Sequence, residues 1–158
     1  MSQSQLNLSM RGIGVIAVLL VRDPLGFPAH SQSLDQQATC AAQAKKAFQE
    51  YSAEYKGSVA KEGVSNLNSD YQSHYNTKIN RCLILTDNSY SVGEYLGSHV
   101  NLWDALERRT YASWLSQTRP PKYLVNVALC ELTRNYKDKK NCTTREEFDA
   151  FVAEYMEE

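Results

Sequence analysis

One apolar run, Gly12 to Val21, stands alone near the start of the chain. After Ser31 the apolar positions recur at helix or strand spacing instead. From Cys40 to Lys56, Ala41, Ala44, Phe48, Tyr51 and Tyr55 fall three and four apart, which predicts an amphipathic helix. Gly57 is placed to stop it, and the polar residues 32–39 read as a frayed lead-in. Residues 58–70, rich in Gly, Ser and Asn, read as a loop. From Tyr71 to Thr86 the period drops to two. Tyr71, Tyr75, Ile79, Leu83 and Leu85 then share one face of a strand, with Cys82 and Ile84 on the other. Apolar residues on both faces predict cover on both sides. Asp87-Asn88-Ser89 reads as the turn that ends the strand.

Val100 to Leu106 and Thr110 to Ser116 are rich in strand formers and predict a hairpin around Glu107-Arg108-Arg109. A helix over Leu102 to Leu115 is the rival reading. Pro120-Pro121 interrupts the chain, and Tyr123 to Leu132 supplies a further strand. Thr143 or Thr144 then opens a capping box with Glu146 or Glu147, followed by the stripe Phe148, Phe151, Val152 and Tyr155. Together these elements predict a single α+β domain over residues 32–158. Its antiparallel sheet of about three to five strands packs with an N-terminal and a C-terminal helix.

The isolated run is too short to span a bilayer, which takes about 20 residues, but suits the core of a signal peptide. Arg11 precedes it, and Ala29 and Ser31 suit a cleavage site after Ser31. Residues 1–31 therefore read as a signal peptide, with Met10 a more regular start than Met1. Removing Arg11, Arg22 and Asp23 with that leader leaves 15 basic and 17 acidic residues, a net charge of −2. No clustered basic face is left to bind nucleic acid, and no membrane span remains after cleavage. The densest basic stretch, Lys137 to Lys140, includes Asp138 and reads as a solvated loop.

The chain has four cysteines, all downstream of the leader, and they predict disulfides in an oxidising compartment. Three pairings are open. Cys130 and Cys142 flank a short polar loop, which favours their pairing and leaves Cys40 with Cys82. In the chain-entropy picture the two bridges contribute roughly 3 and 4 kcal/mol. There is no Cys-x-x-Cys and no closely spaced ligand pair, so neither a redox site nor a metal site is expected, nor a cofactor.

The densest polar patch runs from Asp70 to Asn76 and contains His74. On a strand, Asp70 and His74 share a face while Ser73 points away, so His74 with Asp70 or Asp104 is the one general-base pairing to consider. Asp104 and Glu107 lie too close in a hairpin for opposed glycosidase carboxylates. The chain has ten tyrosines, and Tyr71 and Tyr75, with Trp103 and Trp114, are the candidate binding residues.

Two segments carry a resemblance. Tyr71, Ser73, His74, Tyr75, Asn76, Lys78, Asn80 and Cys82 form the first; Leu102, Asp104, Ala105, Glu107, Tyr111, Ala112 and Trp114 form the second. At this spacing they resemble a loose group of small exported bacterial proteins of unknown function. The resemblance implies export, a Cys40–Cys82 bridge and an antiparallel sheet over residues 78–132. The expectation is a periplasmic or secreted, non-enzymatic binding or envelope-associated protein whose partner is a protein or a glycan. A small hydrolase built on His74, and an accessory domain of a larger envelope assembly, are the alternatives.

Overall fold

Asn76 and Asn80 cut the expected long strand in two. The Asn76 side chain is buried, accepts the Ile79 N–H at 3.1 Å and donates to the Tyr155 carbonyl at 3.0 Å. Asn80 takes a left-handed backbone (φ 54°), which asparagine tolerates better than most residues. The computed structural model describes residues 34–61, 63–121, 124–134 and 138–157; the expected leader, residues 1–31, lies outside them. Its elements are α1 (Leu34–Lys61), β1 (Ser65–Asn76), β2 (Arg81–Val92), β3 (Tyr95–Asp104), β4 (Thr110–Thr118), β5 (Asn126–Arg134), β6 (Asp138–Asn141) and α2 (Arg145–Met156). The strands form one antiparallel meander in the order β1-β2-β3-β4-β5-β6.

The α+β class and the two helices are as expected, but the sheet has six strands rather than three to five. The loop expected at 58–70 gives way to β1, and the Asp87-Asn88-Ser89 turn to the middle of β2. Short-range composition misled there, because Asn88 is buried against hydrogen-bonding partners instead of turning in water. The 77–80 turn also changes which residues share a face. Tyr71, Ser73 and Tyr75 stand opposite Thr86, Ile84 and Cys82, so the tyrosines lie with Cys82 and Ile84, not with Leu83 and Leu85. Helix α1 begins at Leu34 and runs through Gly57, since one glycine costs a helix only about 1 kcal/mol.

The later turns follow local chemistry. Gly93 (φ 56°) closes β2–β3. Gly97 stands opposite Tyr90, whose ring would lie 2.1 Å from any Cβ placed there. Asp104 shapes β3–β4: its Oδ1 accepts the Leu106 and Glu107 N–H groups, each at 2.7 Å. At α2 the capping box forms as expected. Thr144 Oγ1 accepts the Glu147 N–H at 3.2 Å, and Glu147 Oε2 accepts the Thr143 N–H at 2.9 Å.

The helices cover opposite faces of the sheet, because alternate residues of β2 enter separate clusters. Leu83 joins Val100, Leu102, Ala112, Trp114, Cys130 and Leu132 beneath Phe148, Phe151 and Val152 of α2. Cys82 and Ile84 join Trp103 and Ala105 beneath Cys40, Ala44 and Ala47 of α1. Both expected bridges are present: Cys40–Cys82 ties α1 to β2, and Cys130–Cys142 ties β5 to the residue after β6, with Cα separations of 5.2 and 5.1 Å.

Candidate functional site

Small residues let the N-terminal half of α1 approach the sheet; farther along, its larger side chains stand over polar strand positions. Ala44 and Ala47 are buried, whereas Tyr51 and Tyr55 are half-buried. Beneath them β2, β3 and β4 present Thr86, Asn88, His99, Asn101 and Ser113 on one face, as the registers Thr86↔Asn101, Asn88↔His99, Asn101↔Ser113 and His99↔Leu115 require. Between helix and sheet lies a cleft of about 380 Å³, lined by Tyr51, Tyr55, His99, Asn101, Trp103 and the rim residue Arg108 among others. This is the size of a small-ligand site.

Hydrogen bonds from behind the lining brace Tyr51, Asn101 and His99. Ser69 Oγ donates to Asn88 Oδ1 at 2.8 Å, and Asn88 Nδ2 donates to the Tyr51 hydroxyl at 3.1 Å. Ser113 Oγ donates to Asn101 Oδ1 at 2.7 Å, while His99 Nε2 lies 3.4 Å from Ser113 Oγ. The Trp103 indole N–H is buried at the same cleft and has no hydrogen-bond acceptor among the described residues. Burial raises the Tyr51 and Tyr55 hydroxyls above the ordinary tyrosine range and lowers His99 below the ordinary imidazole range, a hydrogen bond with Asn101 opposing the latter. All three groups are therefore neutral at pH 7. Charge sits at the rim, where Arg108 pairs with Glu50 and with Glu54.

The arrangement at Ser113 does not set up a serine nucleophile. A serine nucleophile must give its proton to histidine. Here Ser113 Oγ donates to Asn101 Oδ1, so its proton is directed away from His99 Nε2, 3.4 Å off.

Of the residues singled out from the sequence, Trp103 alone lines this cleft. Trp103 and Trp114 are 5% and 3% exposed, so neither offers a ring face to solvent; Trp103 reaches the cleft only from its buried side. Tyr71 and Tyr75 secure α1. The Tyr71 ring stacks on Phe48 with centroids 4.5 Å apart, and the Tyr75 hydroxyl accepts from Gln36 at 3.1 Å and bonds Asn80.

His74 meets neither acid. At about 3.3 Å per residue, Asp70 lies about 13 Å along β1 from it. Asp104 lies two strands away, about 10 Å, across the ladder His74–Leu83–Asp104, with the buried Leu83 side chain between them. Asp104 is itself committed to its turn, and its second oxygen lies 3.7 Å from Arg81. Glu107 also pairs with Arg81. Among the described residues no three His, Cys, Asp or Glu side chains gather to hold a metal ion.

Asn88, His99, Asn101 and Ser113 escaped the sequence reading. Their one signal is that four polar residues occupy positions facing the helix, and this is visible only once the strand register is known. Comparison with protein families, with curated proteins and with solved structures finds no match to this chain.

Proposed function

We propose that the protein works outside the cytoplasm, periplasmic or secreted, as a small disulfide-stapled binding protein whose ligand site is the cleft beneath α1. All four cysteines are bridged, which favours a compartment where thiols oxidise. The observation that carries the binding reading is the cleft's lining: the neutral His99 and Asn101 below, the Tyr51, Tyr55 and Trp103 rings around them, and the charged pair Glu54 and Arg108 at the rim. A charged ligand would lose its hydration there without gaining a counter-charge at the floor. A neutral, hydroxyl-rich ligand exchanges water for Asn101 and the tyrosine hydroxyls, and lays its apolar faces on the rings. A sugar unit of an envelope or extracellular glycan has this chemistry.

The test is a titration of the isolated protein with soluble chito- and cello-oligosaccharides, followed by side-chain NMR of Tyr51, Tyr55 and His99. Saturable shifts at all three, weakened in a folded Tyr55→Ala variant, support the reading. Shifts at none of them with either sugar series remove the cleft as a glycan site. Intact mass from the native host, before and after reduction, tests the compartment. A chain starting near Gln32 that yields four thiols only on reduction supports export, and an uncut chain with free thiols refutes it.

A further inference from the structure

One donor at the cleft is left without a bond. The Trp103 indole N–H is buried, closed to water, and meets no acceptor among the described residues. Packing leaves the ring little freedom to turn toward one. Its strand register sets Trp103 between Ile84 and Thr110, and it belongs to the buried cluster with Cys82, Ile84 and Ala105. The Tyr51 ring flanks it, with centroids 5.6 Å apart. A buried donor without a partner has given up its hydration for nothing, so such a group in a folded protein requires an explanation. A ligand that supplies the acceptor is one.

The N–H selects the chemistry of its acceptor. Indole donates and accepts nothing, and so does the guanidinium of Arg108, which lines the same cleft. A sugar hydroxyl placed at the indole brings a proton of its own, which then needs an acceptor in a place closed to water. A carboxylate brings no proton, but it would be buried against a neutral ring, and Arg108 is already paired with Glu50 and Glu54. A neutral carbonyl accepts, brings no proton and carries no charge.

We infer that Trp103 decides which sugar the cleft takes: the ligand is an N-acetylated sugar whose acetamide carbonyl accepts the Trp103 indole N–H. The acetamide methyl then lies against the Tyr51 and Trp103 rings, which suit an apolar group. The inference rests on the glycan reading of the cleft and narrows it to one class of sugar. Trp103 Nε1 is closed to water in the free protein, so a lining side chain moves aside as the carbonyl enters. Arg108 is placed to do so, because it lines the cleft and both its carboxylate partners are exposed. One added hydrogen bond between neutral groups favours the acetylated sugar over its hydroxyl counterpart by about five-fold.

The probes are N-acetylated chitotriose and cellotriose, which carry an acetamide and a hydroxyl at the same ring position. The readout is the indole proton resonance of Trp103 in the whole isolated protein, with Trp114, beneath α2, as the internal reference. Chitotriose is expected to move the Trp103 indole proton downfield, to leave that of Trp114 in place, and to bind about five-fold more tightly than cellotriose. Trp103→Phe keeps an aromatic ring and removes the donor, so the preference is expected to fall to about one in the folded variant. The resonance and the affinity ratio of the parent protein stand without that variant. Saturation by chitotriose with an unmoved Trp103 proton, equal binding of the two sugars, or a preference that survives in Trp103→Phe would each overturn the proposal and leave the glycan reading intact. Binding of neither sugar would overturn both.

Discussion

The two faces of this sheet are held by different forces. Beneath α2 the contact is a continuous apolar layer, with Phe148 against Trp114 and Phe151 against Tyr155. Beneath α1 the apolar contact runs from the Cys40–Cys82 bridge to Phe48 on Tyr71 and Tyr51 on Trp103, and alongside it the face rests on Asn88, Asn101 and their partners. Apolar burial is non-directional and fills space, so the layer beneath α2 needs no particular hydrogen-bonded arrangement. A polar floor works only in one hydrogen-bonded arrangement, and it presents groups that a ligand can use.

The largest test of this difference lies on the α2 face. Phe148→Ala leaves a cavity among fully buried neighbours and is expected to lower stability by about 3–5 kcal/mol, read from the urea midpoint. Replacing Cys40 and Cys82 together by Ala should cost about 2–4 kcal/mol, and hydrogen exchange should rise more in α1 than in α2. Equal loosening of both helices would contradict the division. Asn88→Ala leaves the Ser69 and Tyr51 hydroxyls without their shared partner, at an expected cost of about 1–3 kcal/mol in the same urea measurement.

The smallest effect concerns pH. Burial holds folded His99 below its ordinary value, so the unfolded chain takes up the proton first on acidification. The contribution is complete above about pH 6.5 and is lost as pH falls below it. Urea midpoints measured from about pH 8 down to about pH 5.5 should fall less in His99→Gln than in the parent. An unchanged slope would mean that His99 is not buried as described.

What could be read from the sequence followed the range of the forces involved. Helix α2 was legible because its cap, its first-turn acids and its apolar stripe lie within twelve residues. The β3–β4 hairpin was legible because strand formers flank a charged turn. The β1–β2 turn was not, since alternation continues through Asn76 to Asn80 and the break depends on Asn76 binding Tyr155, 79 residues away. Strand β6 was missed because Asp138 to Asn141 has no apolar alternation and pairs only by register with β5. The cleft was missed for a related reason: Asn88 resembles a turn residue until its cross-strand partner is known.

The bridge near the start of α1 makes that helix a lever. Cys40 is its pivot, and at 1.5 Å per residue Tyr55 lies about 22 Å along the arm. A tilt of about 5° at the pivot therefore moves Tyr55 by about 2 Å, enough to change the width of the cleft. What steadies the far end is the Tyr51–Asn88 hydrogen bond and the exposed pairs of Arg108 with Glu50 and Glu54. Exposed pairs weaken as ionic strength rises. The helix is thus held by a covalent bond near one end and, near the other, in part by ion pairs that added salt weakens.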